Sequence, residues 1–259
     1  MKTRLDRWLA TLDAGSRSEV KQWIRDGAVA VNGRIERDPA SSFDSERDAL
    51  SLRGNTLDGR LIRHVILHKP GGLLTAARDS KQPTVMDLLP PEYKSMGCMP
   101  VGRLDKETTG ILLLTTDGEM NHRLLSPGRH VEKRYLAWVK GTPDERDVEA
   151  FARGLPLEDF ICLPARLTLL WTPGEAIPEN PLPLSPPEEG LTLAELVIRE
   201  GKFHQVKRMF SAVGCEVVRL HRQSFGPLAL DPGLGEGQWR EITGAELSRL
   251  RQAAGMEEV

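Results

Sequence analysis

The stretch from Gly102 to Leu114 sets the strongest limit on how this chain folds. Ile111-Leu112-Leu113-Leu114 is an unbroken apolar run, short and preceded by glycine and polar residues, and it reads as a buried strand. Directly before it come Gly102-Arg103-Leu104-Asp105 and Lys106-Glu107-Thr108-Thr109-Gly110, a polar turn bounded by glycines. One acid, Asp105, is thereby placed between an arginine and that turn. A carboxylate in such a position is held by the strand and still faces solvent or a ligand. Asp is also an ordinary turn residue, and spacing alone does not separate the two readings.

At 259 residues the chain is longer than one typical domain, which predicts two. With 39% apolar and 28% charged residues it has the composition of a soluble globular protein. No apolar run approaches the roughly 20 residues of a membrane helix. The N-terminal MKTRLDRWLATLD carries acids and lacks the apolar centre of a secretory signal. Cys98, Cys162 and Cys215 are odd in number and far apart, which gives neither a disulfide framework nor a zinc pair and leads us to expect reduced thiols in the cytoplasm. His64 and His68 lie on a segment that reads as a strand, and nothing nearby completes a set of ligands, so no metal is expected.

The net charge of −2 argues against a nucleic-acid partner, but its distribution argues the other way. Residues 1–37 hold eight Lys/Arg against five Asp/Glu, and residues 199–222 hold six against two. Acids gather instead at 144–149, at 175–189 and at the C-terminal end. Local basic faces on a nearly neutral protein suit a phosphate backbone.

Leu5, Trp8, Leu9 and Leu12 form the stripe of a short helix. Ser16 and Glu19 form a capping box opening a second helix, with Val20, Trp23 and Ile24 as its buried face and Gly27 beyond its end. Val29 to Ile35, around Asn32-Gly33, reads as a tight hairpin. Arg4, Arg7, Arg17, Lys21, Arg25 and Arg34 are the exposed basic positions of this unit, either a solvated face or a binding face. Residues 51–62 read as a linker ending in a strand. Val65 to Lys69 reads as a strand entering a sharp Pro70-Gly71-Gly72 turn. Residues 83–89 read as a short helix stopped by Pro90-Pro91, 118–125 as a helix, 133–139 as an alternating strand and 144–152 as a charged surface helix. The proline-dense stretch 172–190 reads as a loop. A strand over 191–198, a helix over 204–213 and two strands over 217–220 and 224–230 complete the pattern. Strands and helices mix without βαβ alternation, which predicts an α+β fold with a mixed, largely antiparallel sheet flanked by helices.

Four stretches carry a resemblance. RLDRWLA followed by SRSEVKQWIRDGAVAVNG resembles the S4 RNA-binding domain. GRLDKETTG resembles the active-site signature of the pseudouridine synthases, Lys133-Arg134-Tyr135 their KxY segment, and GKFHQVKRM their HQVRRM segment. Over 101–136 the run is similar to synthases of bacterial small-subunit rRNA. With the resemblance covering roughly 3–50 for the S4 domain and 3–250 overall, we expect an S4-type domain over 1–58, a linker over 59–62, a catalytic domain over 63–250 and a flexible tail over 251–259. The resemblance implies isomerisation of a specific uridine in 16S rRNA with Asp105 as nucleophile or base, Tyr135 stacking on the flipped-out base and Lys207 pairing with Asp105. Where the family often has arginine, Lys207 keeps the charge and loses the planar fork. It further implies RNA contacts by Arg103, Arg4, Arg17, Lys21, Arg25, Arg34, Lys133, Lys202, His204, Gln205 and Arg208. No cofactor and no metal are expected, and the expected partner of the monomer is 16S rRNA or a 30S assembly intermediate.

The residues themselves leave rivals open. Half-buried tyrosine in a sheet is common, and a helix face of Lys and Arg is often only solvated. A glycosidase also acts at an anomeric carbon, but needs two carboxylates spanning the bond, for which Asp105 and Glu107 are the available pair. A synthase of the same family acting on 23S rRNA would carry the same motifs. A non-catalytic ribosomal RNA-binding protein would account for residues 1–50 alone.

Overall fold

The computed structural model describes residues 2–12, 15–45, 47–58, 62–173 and 189–256. Its contacts divide the chain into two compact units, one of Met1–Arg63 with Leu89–Met99 and Thr115–Asp117, the other of the remaining residues. The interleaved segments 89–99 and 115–117 depart from the contiguous domains expected from sequence.

In the first unit, β1 (Lys2–Arg4) leads into α1 (Leu5–Thr11) and α2 (Arg17–Arg25). The capping box at α2 forms in both directions, with Ser16 accepting from the Glu19 amide and Glu19 accepting from Ser16. Then come β2 (Val29–Val31), β3 (Arg34–Glu36), β4 (Ser42–Asp44), β5 (Leu50–Leu52) and β6 (Asn55–Leu57). Asn32 and Gly33 both take positive φ, as a two-residue turn between twisted strands requires. β2, β3, β5 and β6 form one sheet in the order β3-β2-β5-β6, while β4 pairs with β1. Residues 51–57 are therefore the end of β5 and all of β6, a hairpin of this sheet rather than a linker. Of the expected linker 59–62, positions 59–61 lie outside the described residues. Leu5, Trp8, Leu9, Val20, Ile24, Val29, Phe43 and Leu50 make the core, with Trp8 edge-on to Phe43 at 5.2 Å.

After β7 (His64–Lys69), a 3₁₀ turn over Val85–Leu88 precedes α3 (Pro91–Ser95). Pro91 sits in the first turn of α3, where its missing N–H costs nothing, so the proline pair opens a helix as well as ending one. β8 (Met99–Pro100), β9 (Thr109–Thr115), α4 (Gly118–Leu125), β10 (Lys133–Lys140), α5 (Glu145–Arg153), β11 (Arg166–Trp171), β12 (Thr192–Ile198), α6 (Gln205–Ala212), β13 (Glu216–Phe225), β14 (Leu228–Ala229), β15 (Trp239–Glu241) and α7 (Gly244–Ala253) follow. Most of the proline-dense stretch, 174–188, lies outside the described residues.

The main sheet of the second unit runs β11-β12-β10-β13-β9-β7-β15, with β14 against β13. The pairs β10–β12, β10–β13, β11–β12, β13–β14 and β7–β15 are antiparallel, and β9–β13 is parallel. This is the mixed, largely antiparallel α+β sheet that the pattern predicted. β10 lies inside the sheet between β12 and β13, and Tyr135 to Val139 are all buried, so the expected alternation is replaced by burial on both faces. The two strands expected over 217–230 are one long β13 plus the short β14. Ile66, Ile111, Leu113, Met120, Leu124, Phe225 and Leu250 are among the residues packing one core cluster. The expected tail from 251 instead continues α7, and Ala254 is fully buried in that cluster because the helix brings its last turn onto the sheet. Only 257–259 lie outside the described residues there. Among the described residues, no helix is long and apolar enough to cross a membrane.

Candidate active site

The turn that carries Asp105 is held from several directions. Lys69, at the end of β7, has no exposed surface, and its ammonium donates to the carbonyls of Pro70 (2.9 Å), Lys106 (2.8 Å) and Thr108 (3.0 Å). Burial pushes that ammonium down to about 8, with Glu107 and Asp105 pulling the other way. Thr75 donates to the Leu104 carbonyl at 2.8 Å and accepts from the Leu104 amide at 3.2 Å. The Thr108 amide closes the turn onto the Asp105 carbonyl at 3.1 Å, and the Gly72 amide bonds the Lys106 carbonyl at 3.0 Å. The exit is fixed by β9 lying parallel to β13, with Thr109 opposite His221 and Gly110 opposite Arg222. Thr109 Oγ1 and His221 Nδ1 are 2.8 Å apart.

Asp105 opens into a cleft of about 530 Å³. One carboxylate oxygen lies 3.5 Å from His204 Nε2 and the other 3.9 Å from Lys207 Nζ. The expected Lys207 pair is thus longer than a hydrogen bond, and His204, expected to contact RNA, is the nearer group. His204 precedes α6 in a left-handed conformation, and the Phe203 ring stacks on its imidazole at 3.8 Å. Phe203 is 75% exposed. Tyr135 contributes its buried ring from the start of β10, opposite Arg222 of β13.

Arg103, Lys133, Lys202, His204 and Gln205 line the same cleft. Arg103 and Lys202 are exposed. Gln205 is buried, with its amide nitrogen on Glu200 at 2.7 Å and its oxygen accepting from the Lys202 amide at 2.9 Å. Its polar atoms order the turn before α6 and are not free to bind RNA as expected. Arg208 is not in the cleft wall; it pairs with Asp159 and lies 5.3 Å over the Phe160 ring. Arg4, Arg17, Lys21, Arg25 and Arg34 are exposed in the first unit, Arg4 as a partner of Asp6. Glu107 does not line the cleft. The other carboxylate that does, Glu200, accepts from the Leu163 amide (2.8 Å) and from Gln205, so among the described residues no second free acid faces Asp105 as a glycosidase needs.

Sequence reasoning missed Arg222. It is 1% exposed, lines the cleft, and donates through Nε to the Ile111 carbonyl at 2.8 Å. Its only signal in the sequence is a charged residue inside a strand, which reads as part of a basic stretch. Lys133 lies nearby, its ammonium 5.6 Å over the Phe225 ring and donating to the Val131 carbonyl at 2.7 Å. Burial, and then Arg222, push it down to about 8.

The sequence pattern of the RNA pseudouridylate synthases matches residues 63–212, which include Asp105, Tyr135, His204 and Lys207. The chain belongs to that family. Residues 3–46 match the S4 domain. Against an RNA pseudouridine synthase of Bacillus subtilis the chain is 39% identical, the alignment covering 96% of this chain and 98% of that one. Against the ribosomal small subunit pseudouridine synthase A of Pseudomonas aeruginosa it is 37% identical, covering 94% and 98%. The Escherichia coli protein of the same name is 36% identical, covering 95% and 99%. A crystal structure of a pseudouridylate synthase, 32% identical, superposes with a TM-score of 0.62 over 95% of this chain and 99% of that one. This pseudouridine synthase is therefore an enzyme that isomerises uridine in RNA, with an S4 domain at its N-terminal side.

Proposed function

We propose that the enzyme converts a specific uridine of small-subunit (16S) rRNA to pseudouridine, with Asp105 as the nucleophile or base. The observation that carries the chemistry is a carboxylate on a braced turn, the one available acid in the cleft among the described residues, flanked by His204, Lys207 and the Tyr135 ring. The near-complete alignment with proteins named for the small subunit supports the substrate.

The reaction breaks the bond between C1′ and N1 of uracil and forms one between C1′ and C5. The proton on C5 leaves and N1 gains one, with no net redox change and no need of a cofactor. The carboxylate form of an aspartate is the form that acts as a nucleophile or base. It either bonds C1′ as the ring departs or removes a sugar proton to give a glycal. Extruding the uridine from its stack costs a few kcal/mol, offset by stacking on Tyr135, about 1–3 kcal/mol per base, and by backbone contacts. Exposed Arg103 and Lys202 at the cleft serve as phosphate contacts, while Arg17, Lys21, Arg25 and Arg34 serve a flanking segment. The partner of the monomer is free 16S rRNA or a 30S assembly intermediate in the cytoplasm.

The test is a chemical map of pseudouridines after incubating the protein with unmodified 30S particles and with free 16S and 23S transcripts, beside an Asp105→Asn control. One new site in 16S rRNA, absent with the control, is expected. A site in 23S rRNA would keep the mechanism and overturn the substrate. RNA binding with no site in either would point to a non-catalytic protein.

A further inference from the structure

The floor of the cleft holds a cation for which the roles given to Asp105, Tyr135 and Lys207 have no use. Arg222 is almost wholly buried, and among the described residues no carboxylate pairs with it. Its Nε is satisfied by Ile111, its Cζ lies 5.2 Å over Phe225, and its Nη2 is buried with no acceptor. Lys133 shares the Phe225 ring. A guanidinium withdrawn from water without a carboxylate partner is costly, and a donor left unpaired adds to that cost. A neutral side chain would fill the space without that cost.

The placement of Arg222 is fixed relative to the reacting groups. Its backbone is the strand partner of Gly110, five residues beyond Asp105, and across β13 it is the partner of Tyr135. The close β9–β13 approach depends on Gly110, where a Cβ would stand 2.2 Å from the Arg222 carbonyl oxygen. The guanidinium thus belongs to the same rigid unit as the carboxylate that acts on the sugar and the ring that stacks on the base.

We infer that Arg222, with Lys133 beside it, binds a uracil carbonyl oxygen as the ring leaves the sugar and becomes an anion. This rests on the pseudouridine synthase reading of the cleft. When the C1′–N1 bond breaks, its electron pair stays with N1 and spreads onto the ring oxygens. The positive charge of Arg222 then meets the negative charge that forms. The charge is withdrawn again as C5 bonds C1′, the C5 proton leaves, and N1 takes up a proton. This holds whether Asp105 bonds C1′ or takes a sugar proton, since uracil departs with the pair in both. A phosphate oxygen would offer the same charge, but the exposed Arg103 and Lys202 are the groups a backbone meets at the surface.

The test compares single-turnover rates of the wild type, Arg222→Gln and Arg222→Lys on an rRNA fragment carrying uridine or 5-fluorouridine at the modified position. Fluorine at C5 stabilises the ring anion, so the need for a cation falls. It also blocks loss of a C5 proton, so consumption of the parent nucleoside is the readout common to both. Arg222→Gln is expected to slow uridine consumption about 100-fold, as removal of a charge-stabilising donor does. The loss on 5-fluorouridine should be about tenfold smaller, with RNA affinity unchanged. Equal losses on the two substrates would overturn the inference. So would a loss of RNA affinity with an unchanged saturating rate, which is the outcome a phosphate contact gives. If the Gln variant does not fold, the same contrast is read on Arg222→Lys, which keeps the charge and loses the fork. A wild type that consumes neither nucleoside would overturn the synthase reading itself, and this inference with it.

Discussion

Asp105 is partly buried on a turn whose neighbours are tightly held, and Gly110 shows how. Its φ of +108° lies where side chains are strained, and a Cβ would meet the Arg222 carbonyl. Gly110→Ala is expected to lower stability by about 3 kcal/mol or more, measured as a shift in denaturant midpoint at unchanged slope. A change under about 1 kcal/mol would show that the strands separate easily there. Tyr135 predicts a split of another kind. Tyr135→Phe is expected to keep the ring and most of the rate, whereas Tyr135→Ala should lose about 1–3 kcal/mol of stacking, roughly a fivefold to 150-fold fall in single-turnover rate. If the Phe variant were as slow as the Ala variant, the hydroxyl and not the ring face would be the working part.

Among the elements, α7 offers a pH-dependent test. Glu246 caps it through Thr243 and takes a two-pronged contact from Arg240, 2.8 Å on each side. The Arg240 hydrogen bonds hold the Glu246 carboxyl down to about 2. A carboxyl lowered by folding stabilises above its unfolded pKa of about 4.3, and that stability is lost as pH falls toward 2. Glu246→Gln is therefore expected to cost about 1–3 kcal/mol at pH 7 and much less near pH 2, read from melting curves across that range. A cost independent of pH would assign the effect to packing. Elements fixed by local chemistry were legible in the sequence: the Ser16–Glu19 cap, the Asn32-Gly33 turn and the apolar run of β9 each carry their cause within a few residues. What was illegible depends on distant partners. The β5–β6 hairpin resembles a linker because its strands are short and polar, and only pairing with β2 makes them a sheet. Gln205 and Arg208 sit in a basic motif whose residues look alike in sequence, and Glu200 and Asp159 claim two of them. Arg222 could not be seen, because nothing in a strand sequence distinguishes a buried guanidinium from a surface one.

For the molecule as a whole, exposed basic residues are divided between the two units. The exposed Arg17, Lys21, Arg25 and Arg34 belong to one compact unit and the cleft to the other. Replacing Arg17 and Arg34 by Gln is expected to weaken RNA binding and to flatten the plot of log affinity against log salt by about one unit per lost phosphate contact. The rate at saturating RNA should not change. An unaltered salt slope would mean that this face does not meet the backbone.

The ammonium of Lys69 sits among three carbonyl oxygens much as a potassium ion sits among its ligands, except that this ion is tethered to the chain. Shortening the tether in Lys69→Ala leaves an oxygen-lined hollow beneath the turn that presents Asp105. Activity lost by that variant should return in part with millimolar methylammonium, and less with tetramethylammonium, which has no N–H to donate. The turn that carries Asp105 would then answer to the concentration of a small cation in the buffer.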